Sequence, residues 1–268
     1  MPSRRAGTIP FPRRPWWTGA PLAALLLVAT LFAGMGRAEA RDVVFGFRPV
    51  APFVVEGPGG VVSGPEVEIV RAALAVKGHN VVPYLGPISR LNAAWRERQI
   101  DGYAPVIGDP GPDAWFTAPF LDYRNVAMTL SDRKLGLATP GDLAGLRVVA
   151  FKGATQALGP AFRQAAEAAT YREEIRQHLQ VLALLHERCD VIVADRMILR
   201  HQIALLEAKE GKRVAVTEHD LFPPTRYPAV FSDPQLAADF DEGLAEIARS
   251  GLLQRLLDQA RGMPGPTP

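Results

Sequence analysis

From Val43 onward, apolar runs of strand length alternate with segments of helical spacing, and this alternation restricts the chain to sheets that carry helices on their faces. Val43-Val44-Phe45-Gly46-Phe47 is rich in β-formers, Glu66 to Val76 places apolar residues at helical intervals, and Asn80-Val81-Val82-Pro83-Tyr84 is extended again. A helix over Leu91 to Arg98 leads into Ile100-Asp101-Gly102-Tyr103-Ala104-Pro105-Val106. This βαβαβ order implies a mostly parallel sheet.

A second series starts after Asn125, with a strand over Val126 to Leu130 and a short helical turn at Pro140-Gly141-Asp142-Leu143. A strand over Arg147 to Phe151, a helix over about Thr155 to Ala168 and a helix over Val181 to Glu187 follow. The series continues with a strand over Asp190 to Ala194, a helix over Arg196 to Glu210 and a closing strand over Arg213 to Thr217. A run from Arg226 to Phe231 then precedes helices over Pro234 to Arg249 and Leu252 to Ala260, separated by Ser250-Gly251. Two α/β series in one short chain predict two lobes. Pro264, Pro266 and Pro268 predict a disordered tail over 263–268.

The first forty residues read as a secretory signal. Arg4, Arg5, Arg13 and Arg14 make a positive start, Leu22 to Ala33 is apolar, and Ala38-Glu39-Ala40 offers a small-x-small cleavage site after Ala40. The apolar run is shorter than the roughly 20 residues of a spanning helix, which argues against a permanent anchor. Export places the mature chain in the periplasm. The whole chain has 30 basic and 28 acidic residues, five of those arginines and one glutamate fall in the leader, and 25 and 27 remain. A nucleic-acid partner is therefore not expected, because the mature chain keeps no basic cluster.

Cys189 is the only cysteine, so no intramolecular disulfide is possible, and its place before an apolar strand reads as a buried small hydrophobe. His79, His178, His186, His201 and His219 lack the spacing of a metal site, and no G-x-S-x-G elbow is present. Neither a cofactor nor a metal is expected.

Several short motifs recur in order. Ala51-Pro52-Phe53 follows the first strand, Ser63-Gly64-Pro65-Glu66-Val67-Glu68 opens the first helix, and Ile100-Asp101-Gly102 enters a strand. Phe116-Thr117-Ala118-Pro119-Phe120, Asp142-Leu143-Ala144-Gly145-Leu146-Arg147-Val148 and Lys152-Gly153-Ala154-Thr155-Gln156 come next. Cys189-Asp190-Val191-Ile192-Val193-Ala194-Asp195 and Ser250-Gly251-Leu252 complete the set. Together they resemble the family 3 extracellular solute-binding proteins of bacterial ABC importers, which include the polar amino acid receptors. The resemblance spans about Val43 to Arg261.

It implies a type II periplasmic binding protein-like α/β fold with two lobes joined by two hinge crossings. Lobe one then covers 41–122 and the C-terminal helices at 232–262, and lobe two covers 123–231. The implied role is capture of a small polar organic molecule, amino acid-like or other, and delivery by a monomer to an ABC permease. The alternatives are a periplasmic enzyme of the cyclohexadienyl dehydratase type and an orphan ligand sensor. Charged residues from Arg163 to Arg176, read as helical, are a candidate docking face, with a solvated face as the plainer reading.

The resemblance also implies the cleft residues. Gly153, Ala154, Thr155 and Gln156 stand at the family's anion-binding helix start, where unpaired N–H groups point outward, although Thr155 also reads as an ordinary N-cap. Asp195 stands where amino acid receptors hold the substrate ammonium, with Arg196 as a competing partner. The family's hydroxyl residues and clamp arginine are replaced here by Ala104-Pro105-Val106-Ile107-Gly108-Asp109-Pro110-Gly111-Pro112-Asp113, so the usual carboxylate fork is missing. Arg48, Arg90 and Arg124 are the substitutes considered, and Arg48 and Arg124 are retained as site residues. Tyr103 is a candidate stacking residue, whereas Phe53 and Trp115 are expected to pack in the core.

Overall fold

The computed structural model describes residues 40–107 and 109–262. The segment read as a secretory leader, apart from Ala40, and the tail at 263–268 lie outside the described residues. The strands are β1 (Asp42–Phe47), β2 (Val55–Glu56), β3 (Val62–Ser63), β4 (Asn80–Leu85), β5 (Gly102–Ala104), β6 (Trp115–Phe116) and β7 (Leu121–Tyr123). They continue as β8 (Asn125–Leu130), β9 (Arg147–Phe151), β10 (Thr170–Glu174), β11 (Val191–Asp195), β12 (Val216–His219), β13 (Thr225–Tyr227) and β14 (Val230–Phe231). The α-helices are α1 (Pro65–Ala75), α2 (Ile88–Arg96), α3 (Ala154–Ala157), α4 (Gly159–Glu167), α5 (Gln177–Leu185), α6 (Arg196–Glu210), α7 (Pro234–Arg249) and α8 (Leu252–Gly262).

The strands form two five-stranded sheets of the same design. The first has the order β4-β1-β5-β14-β6 and the second β10-β9-β11-β8-β12. In each, three parallel strands are followed by one strand that runs against them and an outer strand that runs with them, both joined through antiparallel pairings. Period-two alternation divides each core between the two faces of its sheet. Val43, Phe45, Phe47 and Phe231 meet α1 and α7 on one face of the first sheet, while Tyr103 and Val230 meet Leu91 and Trp95 on the other. In the second sheet Val126, Met128, Ile192 and Ala194 face one way, and Ala127, Val148, Ala150, Val191 and Val193 the other. Both faces are covered, so the central strands are apolar throughout, as parallel sheets require.

The chain passes between the lobes twice, and the two crossings pair as an antiparallel ribbon. Tyr123 of β7 lies opposite Thr225 of β13, and Leu121 opposite Tyr227. The start of α6 also bridges the lobes, because Ile198 and Met197 pack into the first-lobe cluster beside Phe53 and Tyr123.

The structure corrects the sequence reading in three places. The helix expected over Thr155 to Ala168 is two helices, broken where Gly159 takes φ +84° ahead of Pro160. The charged helix expected over Arg163 to Arg176 ends at Glu167, and Thr170–Glu174 is instead an edge strand parallel to β9. An edge strand tolerates charge on its solvent side, so this strand carries no apolar alternation to reveal it. Trp115 does not pack inward; it and Phe116 are about half exposed on edge strand β6. Phe53 is buried.

Cys189 is 3% exposed, and burial pushes its thiol up to about 11. The folded protein is expected to leave this thiol unreacted with a disulfide reagent, and denaturant to expose it, because the thiolate is the reacting species. Prompt reaction under native conditions would contradict the packing of α5 over β11.

Candidate functional site

Both hinge crossings and both lobes contribute to a cavity of ≈ 830 Å³. Pro52, Phe53 and Pro65 come from the first lobe, Pro119 to Asp122 and Arg124 from the first crossing, and Arg226 from the second. Asp195, Arg196, Met197, Arg200, His201 and Ala204 line it from the start and one face of α6, and Leu253 and Leu257 from α8. Its size and mixed lining suit a small organic molecule.

The start of α6 is held by Asp195. One carboxylate oxygen accepts the Met197 and Ile198 N–H groups at 2.9 and 3.2 Å, and the other accepts the Arg124 N–H at 2.8 Å. The Arg196 N–H in turn donates to the Arg124 carbonyl. This is an N-cap that also ties the first crossing to the helix. Asp195 is 3% exposed, and burial raises its pKa to about 6, against the pull of those N–H groups and Arg196.

Arg196 pairs with Glu218 at 2.8 Å and with Asp220, Arg200 pairs with Glu218 at 2.6 Å, and Arg226 faces Asp122 at 3.5 Å. Arg124 is exposed and makes no side-chain ion pair among the described residues.

A second polar group lies under the hinge. Glu66, in the first turn of α1, is 1% exposed, and one of its oxygens accepts the Tyr123 hydroxyl at 3.4 Å. Burial raises its pKa to about 7, against the lowering effect of the Arg48 charge and the Tyr123 hydroxyl. The other Glu66 oxygen and Arg48 Nε are buried without a hydrogen-bond partner. Tyr123 packs on Phe53 at 4.6 Å and edge-on to Tyr227 at 5.2 Å. Burial pushes both tyrosine hydroxyls up.

Gly153 takes φ +86° at the start of the four-residue α3, and its N–H donates to Glu173 Oε2 at 3.0 Å. Lys152 Nζ lies 3.2 Å from the same oxygen. Burial would raise the Glu173 pKa, but the Gly153 N–H, the Tyr171 hydroxyl and Lys152 together hold it below the usual carboxylate value. Thr155 is not the helix cap, as one reading of the sequence had it; Gly153 occupies that position, with no side chain to cap it.

Of the sequence-predicted residues, Arg124 and Asp195 line the large cavity. Tyr103 is 1% exposed, stands against Trp95 at 5.5 Å, and borders a separate cavity of ≈ 450 Å³ in the first lobe. Gly153, Ala154, Thr155, Gln156 and Arg48 line neither of these two cavities. Met197, Arg200 and Ala204 were not predicted as lining residues, and His201 was weighed only as a metal ligand, although their spacing marks one face of α6. It also passed over Leu253 and Leu257, one turn apart on α8.

The folded chain has the type II periplasmic binding protein-like architecture, with two lobes joined by two hinge crossings. No protein-family model matches the chain, and no curated protein sequence matches it. Solved structures do. The GluR0 ligand-binding core in complex with L-glutamate aligns with TM-score 0.67 at 18% identity, covering 84% of this chain and 100% of that one. A histidine kinase sensor domain with similarity to periplasmic binding proteins aligns with TM-score 0.67 at 20% identity, covering 86% and 99%. The amino acid ABC transporter substrate-binding protein AbpA from Streptococcus pneumoniae, bound to L-arginine, aligns with TM-score 0.63 at 17% identity, covering 82% and 94%. At these identities the likeness is one of fold.

Proposed function

We propose that this chain is an exported solute-binding protein that captures a small polar organic molecule between its lobes and delivers it to an ABC transporter. The observation that carries this reading is the cavity whose walls come from both lobes and both crossings. A molecule bound there contacts surfaces that hinge motion brings together, so its binding free energy favours one lobe arrangement. The AbpA likeness supports a transport role, since that protein is an ABC transporter substrate-binding protein bound to L-arginine. Arg124 and Asp195 are the predicted residues best placed to act, Arg124 as a contact and Asp195 by holding it in position.

A sensor is the second reading, favoured by the alignment with a histidine kinase sensor domain. Both readings need the same closing lobes. Among the described residues no helix is long and apolar enough to cross a membrane. An enzyme of the dehydratase type has less support, because the acid in the cavity wall with the raised pKa, Asp195, is engaged by three main-chain N–H groups.

The mature chain, residues 41–268, is expected to melt at higher temperature with at least one of a panel of amino acids, polyamines, dicarboxylates, sugars and prephenate. A compound at 100 times its Kd adds about 2.7 kcal/mol. A panel without any shift would contradict the proposal, and turnover of prephenate would redirect it to an enzyme.

A further inference from the structure

We propose that the cavity between α6 and α8 takes an amphipathic organic anion, a monocarboxylate with an apolar chain or ring, whose carboxylate meets Arg124. This inference rests on the solute-binding reading and narrows its ligand class. Much of the wall is apolar, with Phe53, Phe120, Met197, Leu253 and Leu257 contributing large side chains. Such a surface favours a ligand that brings apolar area to bury.

The charges on the wall are unequal in availability. Arg196, Arg200 and Arg226 are each engaged by a carboxylate, whereas Arg124 has no ion-pair partner among the described residues. Its main chain is fixed on both sides of its Cα, by its N–H to Asp195 and its carbonyl to the Arg196 N–H. The guanidinium thus stands on a fixed main chain and offers a planar donor pair that matches a carboxylate.

The acids on the same wall already have partners. Asp195 is buried with its oxygens on three main-chain N–H groups, and Asp122 faces Arg226. The ammonium of an α-amino acid would have to compete with those partners for a counter-charge, which weakens its binding. A simple carboxylate with an apolar body carries no such penalty.

Calorimetric titration of the mature chain with octanoate, phenylacetate, L-arginine and L-glutamate tests this. Saturable binding of octanoate or phenylacetate is expected, weakened about tenfold or more in Arg124→Gln, because a charge-assisted hydrogen bond is lost. Arg163→Gln, on α4 and outside the cavity lining, is expected to bind as the parent does, and the melting temperature of unliganded Arg124→Gln is expected to match that of the parent. Binding of L-arginine or L-glutamate without either apolar carboxylate would overturn the ligand class and leave the receptor reading standing. Carboxylate binding that is unsaturable, or that Arg124→Gln leaves unchanged, would overturn the assigned site. No shift or heat with these four or with the wider panel would remove both proposals.

Discussion

Glu66→Gln is expected to match the parent protein in stability near pH 4.5 and to exceed it by about 3 kcal/mol at pH 8. Glu66 is buried, and its pKa rises from 4.5 to about 7, chiefly because burial penalises the carboxylate. In the unfolded chain the group releases its proton near 4.5, while in the folded protein it holds the proton until about 7. The stability it contributes is therefore complete below pH 4.5 and is lost as pH rises through 7. A shift of about 2.5 pH units corresponds to about 3 kcal/mol. Glutamine keeps the neutral shape without the charge.

Asp195, with its pKa raised to about 6, adds a loss of the same sign at lower pH that the Glu66 variant retains. Urea unfolding of both proteins across pH 4.5 to 8 separates the two. Equal stability at pH 8 would mean that the Glu66 carboxylate is ionised and compensated by Arg48, contrary to the burial that dominates it here.

Gly243→Ala is expected to destabilise the protein by about 3 kcal/mol, although alanine is the better helix former. Gly243 sits within α7 where that helix crosses α1, and a Cβ there would lie 1.9 Å from the Ala73 carbonyl oxygen and 2.7 Å from its carbon. The neighbour is main chain, so relief requires the two helices to separate and the first-lobe core between them to loosen. Alanine would gain about 1 kcal/mol in intrinsic propensity. The overpacking outweighs that gain. For a domain of this size the loss corresponds to a fall in Tm of roughly 6–12 °C. Gly136→Ala is the control, since nothing lies within 4 Å of a Cβ at that exposed position. A Gly243→Ala protein melting with its parent would contradict the α1–α7 packing.

The parts of the fold that were legible in the sequence carry their own boundary chemistry. Arg196–Glu210 is bounded as read, because Asp195 caps its start and Gly211 at φ +66° ends it. Pro234–Arg249 likewise follows the Asp233 cap. Arg147–Phe151 is bounded as read, around the buried Val148, Val149 and Ala150. Strands β6, β7 and β10 escaped because two are very short and the third is a charged edge, so pairing with distant partners defines them.

The lining of the candidate cavity was legible only where one residue type gave a local signal. Asp195 at a strand-to-helix junction and Arg124 at the lobe crossing are local signals, and both line the cavity. The apolar wall from Leu253 and Leu257 depends on how α8 folds back, which no short stretch of sequence encodes. Glu66 reads locally as a favourable charge at a helix start. Its burial arises because Tyr123, 57 positions away, packs over it.

The most direct test of the account is the distance between the lobes. Spin labels at Gln99→Cys and Lys209→Cys, both exposed positions on different lobes, leave buried Cys189 unlabelled. Distance distributions would be recorded alone and with each compound of the thermal panel, octanoate and phenylacetate included. The account predicts that a compound that raises Tm also gives a narrower distribution at a changed mean distance. A compound that raises Tm while leaving the distribution unchanged would place its binding site within one lobe and contradict capture between the two.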